Sequence, residues 1–375
     1  MGNYRVISSD SHVFEPPDLW TSRVESKFRD RAPHVVHRAE DDTDWWVCEG
    51  MKGVSGGSGG SQAGKRFDAP ETLTMADKME NVRPGGYIPA EHLKDMELDG
   101  VQASIVYPSQ GLLLYSVPDS ELLSALCRAY NNWLADFCRP FPDRIKGIAM
   151  LNLDDVHEGV SELTRCARLG LAGAMITVAP PAGRSYNLPE YEPLWAAAQD
   201  LAMPLSLHVA TNRSTSRNPT LDLEAFDPAF LTNIDHWVRM SLASIIFGGV
   251  FERYPRLQIG SIEQELSWVP HFLDRLDYTY TQRAQSTAWR KFKTDLLPSD
   301  YFHRNVFLSF QEDALGIRDR HLIGVDNLMW GSDYPHPECT FPRSRQVLEE
   351  VLAECSEAEK AKIAGGNAAR VYHFD

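Results

Sequence analysis

Tyr4-Arg5-Val6-Ile7-Ser8-Ser9-Asp10-Ser11-His12 is the stretch whose reading decides the fold. Tyr4 to Ile7 form a short apolar run that predicts a first β-strand. Residues two apart in a strand point to the same side, so Asp10 and His12 project together past its end. An open sheet that binds dinucleotides carries a glycine-rich phosphate turn at this place. Here the turn is Ser9-Asp10-Ser11-His12, without glycine. A carboxylate and an imidazole held side by side are instead half of a divalent-metal site, and the other half has to come from distant sequence.

Outward from this stretch the chain alternates. Strand-like runs are read at residues 103–107, 146–151, 172–178, 204–209, 256–262, 305–310 and 327–330. Helices are read at 119–138, 157–169, 190–201, 228–251, 268–283, 313–322 and 343–354. The first of these places Leu122, Leu126, Tyr130, Trp133, Leu134 and Phe137 on one buried face. With the first strand this makes eight β/α repeats, the pattern of a closed (β/α)8 TIM barrel. The 375 residues are read as one domain, 1–375, with residues 13–88 as an irregular insertion or lid segment after the first strand. Within it, 45–49 read as a strand and 69–79 as a helix. Ser55-Gly56-Gly57-Ser58-Gly59-Gly60-Ser61 reads as a flexible loop, either a lid or a solvated tip. Residues 89–98 read as a helix ended by Gly100, and 211–219 as a polar loop.

Composition narrows the classes. With 43% hydrophobic residues the chain can bury a large core. A net charge of −15 opposes nucleic acid or an anionic membrane as partner. The six cysteines show no CxxC spacing, so neither a disulfide framework nor a structural zinc cluster is expected. No signal peptide or bilayer-spanning apolar run is read. The expectation is a cytoplasmic enzyme of a small molecule.

A barrel sets its chemistry at the C-terminal ends of its strands. Those ends offer Asp10 and His12 on the first strand, His208 on the fifth, Glu263 and Glu265 on the sixth and Asp333 on the eighth. A lone histidine at a strand end commonly plays a structural part, and Asp in Ser-Asp-Tyr-Pro commonly forms a turn. Together, Asp10, His12, His208 and Asp333 make a two-nitrogen, two-oxygen set suited to one Zn²⁺, or alternatively Mn²⁺, with a position open for water or substrate. Tyr107, His236 and His336 are read as facing the mouth and binding substrate.

Several motifs resemble the amidohydrolase-related group allied to aminocarboxymuconate-semialdehyde decarboxylase. They are Asp10-Ser11-His12 with Glu15-Pro16-Pro17-Asp18-Leu19-Trp20, Arg83-Pro84-Gly85-Gly86-Tyr87, Leu93 to Val101, Gly249 to Pro255, Trp268-Val269-Pro270 with Leu273 to Asp277, and Gly331-Ser332-Asp333-Tyr334-Pro335-His336. The resemblance implies a distorted barrel with one metal ion on Asp10, His12, His208 and Asp333, and a dimer or larger homo-oligomer. Binuclear relatives use a lysine on the fourth strand, and this chain has none there. Many relatives also place a histidine at the end of the sixth strand, where this chain has Glu263.

Two reactions fit. In hydrolysis, Asp333 and Glu263 take a proton from metal-activated water, which attacks the substrate. In the alternative, non-oxidative decarboxylation, Asp333 delivers a proton to an aromatic or unsaturated carbon as CO₂ leaves. Hydrolysis is the main expectation, because Glu263 and Glu265 would repel an anionic acid. A non-catalytic metal-binding barrel is the remaining alternative.

Overall fold

The computed structural model describes residues 4–51, 53–74, 76–213, 228–283 and 291–374. Its strands, in chain order, are β1 (Ile7–Val13), β2 (His34–Arg38), β3 (Thr43–Val47), β4 (Val54–Ser55), β5 (Ala103–Pro108), β6 (Ile145–Met150), β7 (Gly173–Ala179), β8 (Leu205–Asn212), β9 (Ile259–Ile262), β10 (Val306–Phe310) and β11 (Leu328–Trp330). Eight of them form one parallel sheet in the order β1-β5-β6-β7-β8-β9-β10-β11, with β1 and β11 meeting across a seam. This is the expected (β/α)8 barrel, nearly closed.

Local chemistry explains the alternation. Asp119 caps helix Ser120–Cys138 by accepting from the amides of Glu121 and Leu122. Asp155 does the same for helix Val156–Leu169, which ends at Gly170 with φ 86°. Strand side chains such as Ile105, Ile148, Ile176, Leu207 and Leu308 are fully buried, each contributing about 1.5–3 kcal/mol by leaving water.

The seam is held by side chains as well as backbone. The Asp333 amide donates to the Asp10 carbonyl (2.9 Å) and the His12 amide to the Tyr334 carbonyl (2.5 Å). Ser9 Oγ donates to the Trp330 carbonyl (3.0 Å) and lies 2.8 Å from Ser309 Oγ. Ser8, Ser11 and Ser332 share hydroxyl contacts of 2.8–3.2 Å. At Gly331 a Cβ would come within 2.6 Å of the Asp10 Cβ, so only glycine lets the strands close here.

Several expectations are corrected. The first strand begins later and runs farther, to Val13, so Asp10 and His12 lie within it. Residues 55–61 do not form a loose loop. They lead from β4 into a helical turn, Ser58–Ser61, and Gly60 packs so closely that a Cβ would lie 2.7 Å from the Phe14 ring. The stretch 69–79 is not one helix. Its ends form short 3-10 turns, Pro70–Thr72 and Met79–Asn81, because Asp77 is tied to the small antiparallel sheet β2-β3-β4 by the Asp44 amide (3.2 Å). The helix expected over 228–251 divides into Pro228–Thr232, His236–Phe247 and Val250–Arg253. Gly249 supplies the left-handed residue (φ 69°) at the second break. Residues 214–219 of the expected polar loop lie outside the described residues. Among the described residues, no helix is long and apolar enough to cross a membrane.

Candidate metal centre

Two buried imidazoles define the centre. His12 Nδ1 lies 2.8 Å from the Pro108 carbonyl, and His208 Nδ1 lies 3.0 Å from the Val209 carbonyl. A carbonyl only accepts, so each Nδ1 carries the hydrogen and each Nε2 is left with a bare lone pair. The two Nε2 atoms turn toward the same carboxylates. His12 Nε2 is 3.6 Å from Asp10 Oδ1 and 3.2 Å from Asp333 Oδ1. His208 Nε2 is 3.6 Å from the same Asp10 oxygen and 3.5 Å from Glu263 Oε2. The two rings lie edge to face, 5.2 Å apart. The structure therefore brings Asp10, His12, His208 and Glu263 within reach of one point, from β1, β8 and the end of β9, and sets Asp333, past the end of β11, in an adjoining group with His12 and His336.

Asp10 Oδ1, His12 Nε2 and His208 Nε2 are buried without a hydrogen-bond partner, whereas Asp333 Oδ1 has His336 Nδ1 at 3.0 Å. Buried polar atoms are otherwise almost always paired. With Glu263, the atoms of Asp10, His12 and His208 make a set of two nitrogens and two oxygens, all within 4.8 Å of one another, that fits a divalent cation, and Asp333 adjoins it through His12. His12 and His208 also have the carbonyl-fixed tautomer that metal-bound histidines use.

Charge in the cluster is strongly coupled. Burial and the neighbouring His336 hold the His12 imidazole below its usual range. Burial also opposes charge on His208, but the Asp10 and Glu263 carboxylates outweigh it and raise that ring to about 8. Burial alone would raise Asp333. The His336 and His12 rings reverse this and hold its carboxyl well below the ordinary range. Glu263 goes the other way, pushed up by burial and by the Asp333 charge. Its side chain is 34% exposed, so water at the mouth offsets part of that push.

Glu263 was read as an acid or base, yet its oxygen stands in reach of the same point as Asp10, His12 and His208. Its backbone is left-handed (φ 62°), as are Ala210 (65°), Glu265 (55°) and Asp333 (58°). At Ala210, Glu263 and Glu265 only structure shows this, since Ala and Glu do not signal positive φ. Glu265 faces away and accepts from the Gln311 amide (3.4 Å), with burial pushing its carboxyl up to about 7.

The other expected residues are placed differently from one another. His336 stacks on His12 at 3.9 Å, with Nδ1 3.0 Å from Asp333 Oδ1 and Nε2 2.8 Å from Ser109 Oγ. Tyr107 is fully buried beside His208, and its hydroxyl is engaged inside the barrel by Ser206 (2.8 Å) and Tyr372 (3.2 Å). His236 is exposed at the start of its helix, against Trp237. Ser109 was missed by the sequence reading. Its position just past β5, at a strand end, was the available signal.

Comparison with known proteins follows the same lines. Residues 83–374 match the model of a family described as amidohydrolase. The chain is 25% identical over 339 residues to a gamma-resorcylate decarboxylase of Rhizobium sp. (strain MTP-10005), covering 83% of this chain and 97% of that protein. It is 24% identical over 292 residues to a 2-amino-3-carboxymuconate-6-semialdehyde decarboxylase of Dictyostelium discoideum, covering 76% and 77%. The resemblance drawn from the motifs is thus borne out. A crystal structure of a 5-carboxyvanillate decarboxylase from Novosphingobium aromaticivorans, complexed with manganese and 4-hydroxy-3-methoxy-5-nitrobenzoic acid, superposes with a TM-score of 0.69. It is 21% identical and covers 99% of this chain and 96% of its own.

These likenesses overturn hydrolysis as the main expectation, since the relatives are decarboxylases. The repulsion argument behind it fails physically. It counted Glu265, which faces away, and left out the cation that the unpartnered Asp10, His12 and His208 atoms would fit; a dication inverts the local field.

Proposed function

The chain belongs to the amidohydrolase family, and from that premise we propose that it is a divalent-metal-dependent decarboxylase of a small aromatic or unsaturated carboxylic acid. The likeness to a decarboxylase across 83% of the chain carries this reading. The unpartnered donor atoms of Asp10, His12 and His208 support its metal dependence.

Asp10, His12, His208 and Asp333 would hold one cation; Asp10, His12 and His208 share their point with Glu263, and Asp333 would join from the adjoining group of His12 and His336. When bound, the cation would supply a fixed positive charge that offsets charge on the substrate's acidic oxygens. Both Zn²⁺ and Mn²⁺ suit the donor set, and the manganese in the carboxyvanillate enzyme favours Mn²⁺ over the zinc expected from sequence. Decarboxylation breaks the bond between the substrate carbon and its carboxylate. The electron pair stays on that carbon, one proton joins it, and CO₂ leaves without consuming water. Asp333, in contact with both His12 and His336, is placed to pass that proton. His336 is fixed between Asp333 and Ser109 and lines the substrate side. Glu263 is the second acid–base group, and Tyr107 acts by backing His208.

The reading extends to a homo-oligomer in the cytoplasm. Six unpaired, buried cysteines support a reducing compartment, and light scattering of the purified chain reads the assembly directly. The deciding experiment incubates manganese-loaded protein with hydroxybenzoates in ¹⁸O-labelled water. The expected result is CO₂ release with no ¹⁸O in the remaining product. Label in the product without CO₂ overturns the reading.

A further inference from the structure

Behind the seam, between helix Pro89–Asp99 and the barrel wall, lies a small internal cavity of about 10 Å³. His92, Asp95 and Asp99 of the helix line it, opposite Ser104 of β5 and the seam serines Ser11 and Ser332. Most of these groups already have partners. Asp95 accepts from Arg83 (2.6 and 2.7 Å) and from the Tyr334 hydroxyl (2.5 Å). Asp99 accepts from the amide and hydroxyl of Ser344 (2.8 and 2.5 Å). Ser11 and Ser332 contact each other at 2.9 Å.

Two do not. His92 Nε2 and Ser104 Oγ are buried without any partner, in residues 0% and 1% exposed. His92 Nδ1 donates to the Gly85 carbonyl (2.9 Å), so Nε2 is a bare lone pair that needs a donor. Ser104 offers a hydroxyl that can both donate and accept. Two unmet groups of this kind, in residues that line one cavity, have a simple complement. A space of roughly 10–15 Å³ on this measure holds one water, and a buried water typically makes two to four hydrogen bonds.

We propose that this cavity holds one fixed water molecule, which donates to His92 Nε2 and accepts from Ser104 Oγ. It joins helix Pro89–Asp99 to β5 directly behind the strands that carry Asp10, His12 and Asp333. The inference stands independently of the reaction assigned to the metal centre.

A high-resolution crystal structure of the full chain tests it. The expected result is a single ordered water within hydrogen-bond distance of both atoms. An empty cavity, density bonded to only one of the two, or a cation with short contacts to the carboxylates overturns the proposal. Ser104→Val gives a second reading in solution. It fills the space and removes the hydroxyl, so a water-filled site predicts a lower melting temperature, with His92 left unpaired. An unchanged or higher melting temperature means the cavity was dry and overturns the proposal.

Discussion

At the seam, Asp10, His12 and Asp333 are held by hydrogen bonds. Their strands are tied by the amides of His12 and Asp333 and by five serine hydroxyls from β1, β10 and the end of β11. Across the barrel mouth, His208 and Glu263 are held by backbone shape. There the chain enters the left-handed region at Ala210, Glu263 and Glu265, none of them glycine. Such positions cost on the order of 1 kcal/mol each and persist only where the surroundings fix them. The seam half is thus aimed by polar contacts spanning more than three hundred residues, with a left-handed residue at Asp333 alone (φ 58°), and the other half by local conformation at three positions. The difference teaches that a single donor set can be preorganised by two unrelated devices, each open to a separate test.

The sharpest test is on the seam side. Asp333→Asn should reduce turnover by roughly 10²–10⁴-fold, the range for loss of a proton-transferring group, while circular dichroism shows an intact fold. Turnover within tenfold of the parent would remove Asp333 from the proposed role. On the opposite side, His208→Ala should purify with little bound metal, whereas Glu263→Gln should keep it. Equal metal loss in both, measured by plasma emission, would make Glu263 an obligatory ligand.

The seam side should also respond to acid through His92. Burial lowers this ring from 6.5 to about 4. Above pH 6.5 it is neutral whether folded or unfolded, and its contribution to stability is complete. As pH falls toward 4 the unfolded chain gains a proton that the folded chain refuses. Stability then drops by about 3 kcal/mol. Urea unfolding across this window should show a shallower slope for His92→Gln than for the parent, and identical slopes would refute the assignment.

Smaller effects separate the two devices. Ser332→Ala leaves Ser8 and Ser11 each short of a partner, which should cost about 1–2 kcal/mol. It should also weaken metal binding about tenfold, as for other groups that orient ligands. Titration calorimetry showing parental affinity would mean that the serines hold the barrel but not the site. Ala210→Gly relieves a positive φ and should leave stability unchanged or raise it by up to about 1 kcal/mol. A marked loss would show that the strain account is wrong.

The barrel was legible because helical and strand periodicities alternate over most of the chain. Asp10 and His12 were legible as a pair because two residues along a strand restore the same face. The seam was not, since the contact of Ser8 with Ser332 leaves no local pattern in either stretch. Residues 55–61 misled because glycine was read as freedom. Here it is close approach, with Phe14 and Val82 occupying the space a side chain at Gly60 would take. The segment 69–79 misled because its conformation answers to Asp44 on another strand rather than to its own apolar spacing.

The meeting of β1 with the end of β11 has a consequence for biosynthesis. A ribosome releases Asp10 and His12 more than three hundred residues before Asp333. Throughout that interval the nascent chain carries an incomplete donor set. Under the proposed metal dependence, cation uptake would follow the docking of the last barrel strand against the first.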